Sequence, residues 1–432
     1  MAASLPLPDI PAQQGPRERE GPADGFGDAA GGFARFRGEE DATWPTPPAM
    51  SADDFDRLLR HAAVLRASDI SFQPGQPAWA EIAGCWTRLT RRALRWPEIE
   101  CLARCIYGDN IMAILNAGRD ADPSYEIRDP SGPGRLRFRV NMTAGRLPGG
   151  LGVQITLRTL PALPPPIAAL DVEEEILRHF RPARGLNLVC GPTVSGKSTL
   201  LAALVRWRCE KKGANEKVIE YSRPIEYVYD GLDFPDSFIW QTEVGTHLRA
   251  ESGASETSVW SWCVRNALRR KPSIILVGEA RDRATIEAAT EAALTGHLVL
   301  TTLHTVGVPE TVRRLLLPFP AEERETMAID LLQVLNLIVT QLLVRDRTGG
   351  RTPIREFLVV TPELRHLLEA RPLADWPRLL RETLSTGRAP GRSLAASARL
   401  LARQGRIDDE TAAYIAARET REQARIDDGP TG

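Results

Sequence analysis

Residues 185–209, "GLNLVCGPTVSGKSTLLAALVRWRC", decide the fold. The apolar run GLNLVC reads as a buried strand, and "STLLAALVRWRCEKK" has the apolar spacing of a helix. Between them, Gly191, Gly196, Lys197 and Ser198 satisfy G-x-x-x-x-G-K-[ST] in the strand–loop–helix context the motif requires. In the loop Gly191, Pro192, Thr193, Val194, Ser195, Gly196, Lys197, Ser198 and Thr199, the backbone N–H groups of residues 193–199 are expected to cradle phosphates, helped by the positive end of the helix. Lys197 is placed to reach the β- and γ-phosphates of ATP, and the Ser198 hydroxyl to ligate Mg²⁺. Val194 is the irregularity. If the loop takes a positive φ there, a branched side chain costs roughly 1–2 kcal/mol.

Short β-rich runs and helical segments alternate downstream: "KVIEY", "SIILVGE", "HLVLTTL". That alternation predicts a doubly wound parallel sheet with its ligand at the C-terminal ends of the strands. Glu279, at the end of "IILVGEARD", is a candidate to orient the attacking water and to hold Mg²⁺ through its water shell. His297 and His304 bracket the strand in "TGHLVLTTLHT" and are both candidates for the nucleotide site; His304, at the C-terminal end, is the one expected to face a γ-phosphate. Glu220 and Glu226 flank Pro224 in "IEYSRPIEYVYD", a stiffened turn able to aim an acid at the nucleotide.

Residues 1–50, rich in Gly, Pro, Ala and charge, are predicted to be disordered. A mixed α/β unit is predicted over 51–159: Phe55, Leu58, Leu59 and Ala62 stand at helical spacing, and "RLRFRVNMTA" alternates Leu136, Phe138 and Val140 with Arg135, Arg137, Arg139 and Asn141. The alternation gives one arginine-lined sheet face. "LPALPPPIAAL" (160–170) carries four prolines and reads as a hinge. The nucleotide-binding unit is assigned to 171–345, and a helical C-terminal region with a disordered end to 346–432.

The 55 Lys+Arg and 56 Asp+Glu nearly cancel, so there is no global field for nucleic acid, and direct DNA binding is not expected. No stretch approaches the ~18 apolar residues of a spanning helix, and the N-terminus lacks the pattern of a secretion signal. The expected location is cytoplasmic, peripheral at an inner membrane through partners. Cys101 and Cys105 share a helix face, but no second close pair completes a zinc site; the six cysteines read as reduced and mostly buried.

"GPTVSGKST", "RPIEYVYD", "NALRRKPSIILVGEARD" and "TGHLVLTTLHT", in this order and spacing, resemble the Walker A loop, Asp box, Walker B strand and His box of the type II/type IV secretion ATPase superfamily. "ASDISFQPGQPAWAEI", "RFRVN", "QITLRTLP" and "RNALRRKP" look most like its Dot/Icm DotB-like and IncI plasmid-transfer TraJ-like branches, relatives of the pilus-retraction PilT motors. The resemblance spans about residues 52–360. It implies a RecA-like P-loop motor with a PAS-like α+β N-terminal domain and a helical C-terminal tail. It also implies a homo-hexamer at the cytoplasmic face of a secretion or conjugation complex. Arg137 and Arg139, with Arg158 beside them, match the arginines that reach a neighbour's nucleotide. Two departures stand out: Val194 replaces a glycine, and Ser222 occupies the Asp-box acid position. They motivate a rival expectation of a non-hydrolysing, nucleotide-gated scaffold; a pilus-retraction motor is a third. The four-cysteine module of the assembly-type relatives has no counterpart after Cys263.

Overall fold

The computed structural model describes residues 43–128, 134–147, 150–161, 163–248, 256–280 and 282–427. The predicted tail up to residue 42 lies outside them, but its last segment does not behave as a tail. Trp44 N–H donates to the Leu89 carbonyl at 2.7 Å, Arg92 Nε donates to the Pro47 carbonyl at 2.8 Å, and Met50 is buried. The packed chain therefore starts before the boundary expected at 51, because Trp44 and Met50 supply the apolar anchors that the Gly/Pro-rich composition masks.

Helix α1 (Ala52–Val64) begins at a capping box in which Ser51 and Asp54 satisfy each other's backbone N–H. Its buried side is Phe55, Leu58, Leu59 and Ala62. Strands β1 (Asp69–Phe72), β2 (Trp79–Ile82) and β3 (Cys85–Arg88), helices α2 (Trp96–Tyr107) and α3 (Ile111–Asn116), and strands β4 (Ser124–Arg128), β5 (Arg135–Leu147) and β6 (Gly150–Leu160) complete the first unit. Its antiparallel sheet runs β3-β2-β1-β6-β5-β4. Phe138, Val140 and Met142 of β5 and Ile155 and Leu157 of β6 are buried in one core with the helices. Arg139, Asn141, Gln154 and Arg158 are exposed on the other face.

The prolines lead into a 3-10 turn, Ile167–Leu170, so the linker is not extended throughout. The second unit contains α4 (Glu174–His179), β7 (Gly185–Cys190), α5 (Lys197–Cys209), β8 (Lys217–Ser222), β9 (Phe238–Glu243), α6 (Glu256–Leu268), β10 (Ile274–Val277), α7 (Arg283–Leu294), β11 (Leu298–Leu303), α8 (Val308–Leu316) and α9 (Ala321–Val334). It continues through β12 (Leu335–Arg345), β13 (Arg351–Val359), α10 (Pro362–Glu369), α11 (Trp376–Thr386), β14 (Gly391–Arg392), α12 (Leu394–Arg403) and α13 (Asp409–Asp427). Arg206 Nη1 of α5 donates to the Pro164 carbonyl at 2.7 Å, docking the linker on that helix.

The strand order is β14-β13-β12-β7-β11-β10-β8-β9. Strands β12 to β9 in that order are parallel, while β13 and β14 add antiparallel. Every residue of β7, β10 and β11 is buried, as two-sided cover requires. The connections leaving the adjacent strands β7 and β11 run to opposite sides, toward β8 and β12, so their C-terminal ends form the switch point where such sheets bind ligands. The C-terminal region is not wholly helical: β13 widens this sheet beyond residue 345. Its adjacent Arg355 and Glu356 disguise a strand in the sequence, yet both are buried. Of the cysteines, Cys190, Cys209 and Cys263 are buried, whereas Cys85 and Cys105 are exposed, contrary to the mostly buried set expected. Among the described residues no helix is long and apolar enough to cross a membrane.

Glu98 ties the first unit together. It is buried and accepts N–H from Met50 at 2.8 Å, Arg95 at 2.7 Å and Arg92 Nη1 at 2.9 Å. Burial opposes its ionisation, but the Arg92 guanidinium and the two backbone donors prevail and hold its pKa at about 2. A carboxyl with a depressed folded pKa contributes stability above its unfolded pKa and loses it as pH falls through the folded value. Glu98→Gln is expected to lower the melting temperature of the full chain at pH 7 by about 2–4 °C per kcal/mol lost. The difference from wild type should shrink as pH is taken from 5 toward 2. Melting curves across that range check it.

Candidate functional site

The loop after β7 is shaped by what it packs on. A Cβ on Gly191 (φ 147°) would stand 2.3 Å from the Gln341 carbonyl oxygen; one on Gly196 (φ 78°) would stand 2.9 Å from Gln341 Nε2. Only glycine fits between loop and strand β12. Val194 also takes a positive φ, 64°, and is 70% exposed, so its strain is not offset by burial. Ser195 Oγ is buried without a protein hydrogen-bond partner among the described residues, as expected where an anion completes the site. The first turn of α5 leaves its N–H groups without intrahelical acceptors, directed at the same place.

Lys197 is 7% exposed, and its ammonium donates to the Pro192 carbonyl at 2.8 Å. Burial lowers its pKa, opposed by Cys190, Glu279 and Glu226. Thr199 Oγ1 and the Tyr227 hydroxyl are 2.8 Å apart, joining α5 to the turn after β8.

A cavity of about 630 Å³ opens over this loop. Thr193, Val194, Ser195, Gly196, Lys197, Ser198 and Thr199 line it. Glu279, at the end of β10, and His304, at the end of β11, reach it from neighbouring strands, His304 Nε2 standing 3.5 Å from Glu279 Oε1. Glu226 lines it from the turn that follows the cis Arg223–Pro224 peptide. Gly191 and Pro192 do not line it: Gly191 is buried against Gln341, and Pro192 is exposed, its carbonyl accepting from Lys197.

Arg139 and Arg158 line the same cavity from the first unit of the same chain. They face each other across β5 and β6. Arg158 Nε donates to Asp69 Oδ1 at 2.9 Å, whereas Arg139 has no hydrogen bond or ion pair among the described residues. A guanidinium expected from a neighbouring subunit is thus already present in cis.

Two expected site residues are placed elsewhere. Arg137 is 5% exposed and clamps the Asp-box turn, donating from Nη2 to the Ile225 carbonyl at 2.6 Å and from Nη1 to the Glu226 carbonyl at 2.9 Å. Its pKa is lowered by burial, with Glu126 and Glu243 opposing. It shares the face of Arg139, but the second unit covers it. His297 bonds locally, its Nδ1 standing 3.2 Å from the Ala292 carbonyl oxygen. It lies at the N-terminal end of β11, about 20 Å of strand from the loop.

Glu220 is the other of the two acids that flank Pro224. It lines the cavity, buried, accepting from Ser222 Oγ at 2.6 Å and Gln241 Nε2 at 2.8 Å, and burial raises its pKa. Ser222, in the position of the missing acid, therefore pins the acid two residues upstream. Arg223, Trp260 and Arg351 also line the cavity. No local pattern marks Trp260 or Arg351, which converge from distant segments.

Substitutions separate these roles. Val194→Gly removes strain from an exposed position and is expected to raise the melting temperature by about 2–4 °C per kcal/mol relieved. Arg137→Met, which unclamps a buried turn, is expected to lower it, and Arg139→Met to leave it unchanged. Calorimetry of the full chain checks all three.

The family described as Type II/IV secretion system protein matches residues 54–406. The chain is 33% identical over 322 residues to the type IV pilus retraction ATPase PilT of Pseudomonas aeruginosa, covering 74% of this chain and 87% of that protein. The crystal structure of the Legionella pneumophila ATPase DotB superposes with a TM-score of 0.76 at 40% identity, covering 86% of this chain and 97% of that one. The pilus retraction motor PilT with bound ADP superposes with a TM-score of 0.71 at 30% identity, covering 85% and 97%. The predicted fold, a P-loop motor of RecA type behind an α+β unit, agrees with these likenesses.

Proposed function

The chain belongs to the type II/IV secretion system protein family of ATPases, and from that premise we propose that it hydrolyses ATP to drive a type IV, type IVB-like, secretion or conjugative plasmid-transfer machine. One observation carries the catalytic reading: Lys197, Glu279, His304 and Arg139 line a single cavity at the switch point of the sheet. The Lys197 ammonium exchanges the Pro192 carbonyl for β- and γ-phosphate oxygens. Ser195 Oγ, without a protein hydrogen-bond partner among the described residues, donates to a phosphate oxygen. Glu279 holds and orients the attacking water, and His304 beside it fixes the carboxylate and faces the γ-phosphate. Arg139 brings positive charge to the terminal phosphate as negative charge builds in the transition state. The Ser198 hydroxyl directly, and Glu279 through water, would hold Mg²⁺, which neutralises charge on the phosphate oxygens.

We assign the chain to a homo-hexameric ring at the cytoplasmic face of an inner-membrane complex, with ATP between the two units. The alternative role is pilus retraction, favoured by the PilT likeness. The two roles share one engine. A non-hydrolysing scaffold is disfavoured by Glu220, which restores an acid to the altered box.

Phosphate release by the purified chain tests the proposal. Lys197→Ala is expected to lose both nucleotide binding and turnover. Glu279→Gln should keep binding and lose turnover. Arg139→Ala is expected to cut kcat by about 10²–10³ with little change in ATP affinity. Normal turnover in Glu279→Gln would remove the assigned water-orienting group, and no turnover in wild type would favour the scaffold.

A further inference from the structure

Two buried polar side chains have no part in the chemistry above. Gln341 and Arg355 stand directly opposite each other in the β12–β13 pair, 3% and 2% exposed. Thr340 is level with Cys190 in the β12–β7 register, so Gln341 falls beside the first residue of the phosphate loop. Gln341 Nε2 donates to the Ser195 carbonyl at 2.7 Å, and its Oε1 accepts from Arg355 Nε at 2.8 Å. Arg355 directs its remaining donors at the exit of the interdomain linker. Nη2 donates to the Leu170 carbonyl at 2.8 Å; Nη1 donates to the Asp171 carbonyl at 2.8 Å and to Glu173 Oε2 at 3.1 Å. Leu170 closes the 3-10 turn of the linker, and Asp171 leaves it with a φ of 42°.

The chemistry suits a rigid link. A guanidinium offers its donors in a fixed planar fork, so one side chain can engage an amide, two carbonyls and a carboxylate together. A charge this deeply buried is tolerated because its donors are matched. The amide of Gln341 donates on one side and accepts on the other, so it transmits position rather than merely filling space. Neither side chain lines the cavity; both act through Ser195, whose carbonyl sets the path of the loop.

We propose that Gln341 and Arg355 are positioning residues of the ATP site, a relay that ties the exit of the interdomain linker to the phosphate loop so that a swing of the N-terminal unit alters the loop's grip on nucleotide. This rests on the reading of the cavity as an ATP site. The relay runs through side chains of one hairpin and needs no second subunit. It gives the linker a route to the nucleotide separate from Arg139 and Arg158, which reach the cavity from the front.

The test uses the full chain, a fluorescent ATP analogue and ADP. Gln341→Glu keeps the acceptor toward Arg355 and removes the donor toward Ser195; Gln341→Met removes both. Each is expected to weaken binding of the analogue about tenfold, the scale of one buried hydrogen bond. Arg355→Lys is expected to weaken it likewise. Combined with Gln341→Met it should add little, since the two act as a unit. Circular dichroism restricts the comparison to folded protein. Hydrogen exchange supplies a readout that lost stability alone does not move. In wild type, ADP is expected to slow exchange in residues 167–173, and in Gln341→Met that protection should vanish while protection of residues 193–199 persists. Unchanged affinity in folded Gln341→Met, or no ADP-dependent change at 167–173 in wild type, overturns the relay. Lys197→Ala separates the two levels. If it loses nucleotide while Gln341→Met does not, the relay alone falls. If wild type binds none, or Lys197→Ala binds as wild type does, the ATP reading falls and the relay with it.

Discussion

A buried ammonium whose hydrogen-bond partner is a neutral carbonyl is the constraint around which the second unit is built. Lys197 gives up most of its water for the Pro192 oxygen, an exchange that leaves its charge without a direct ion pair among the described residues. The surroundings hold that charge in place without neutralising it. Glycines let the loop close on β12, the helix N-terminus adds its own positive field, and Ser195 presents a hydroxyl with no hydrogen-bond partner among the described residues. The carboxylates of Glu279 and Glu226 line the same cavity. The result is a receptor for an anion, and the strand order places the water-handling groups at its rim.

What could be read in advance was what is local. The phosphate motif, the acid after β10 and the histidine after β11 are each fixed by a few neighbouring residues and by where a parallel strand ends. The arginine-lined face followed from a period of two along β5. Alternation assigns a face without telling what will lie on it, which is why Arg137 and Arg139 were treated alike. One is roofed by the turn at Ile225 and Glu226; the other opens into the cavity. His297 shows the converse limit, since sharing a motif with His304 does not mean sharing an end of the strand. Gln341 was hidden in an apolar run, and Arg355 beside Glu356 reads as surface. Only the pairing of β12 with β13 and β7 buries that polar pair where it matters.

The two units are joined by more than a tether. Arg137 grips the turn beside the cavity, Ser124 Oγ donates to Glu243 Oε2 at 2.6 Å, and Arg135 Nη1 stands 2.6 Å from Asp230 Oδ2. These contacts couple the small sheet to the Asp-box side of the large one. The proline-rich segment meets α5 near its C-terminal end through Arg206. The arrangement that brings Arg139 over the loop is thus held by polar contacts, which re-form in other registers more readily than an apolar core.

The left-handed backbone at Val194 is a cost that the folded loop carries. A glycine at that place would take the same curve without strain. The valine's own preference opposes the curvature, so the glycines packed on β12 and the Gln341 bond to the Ser195 carbonyl must hold it, and the isopropyl group, open to water at the lip, forms part of the doorway through which an incoming anion must pass.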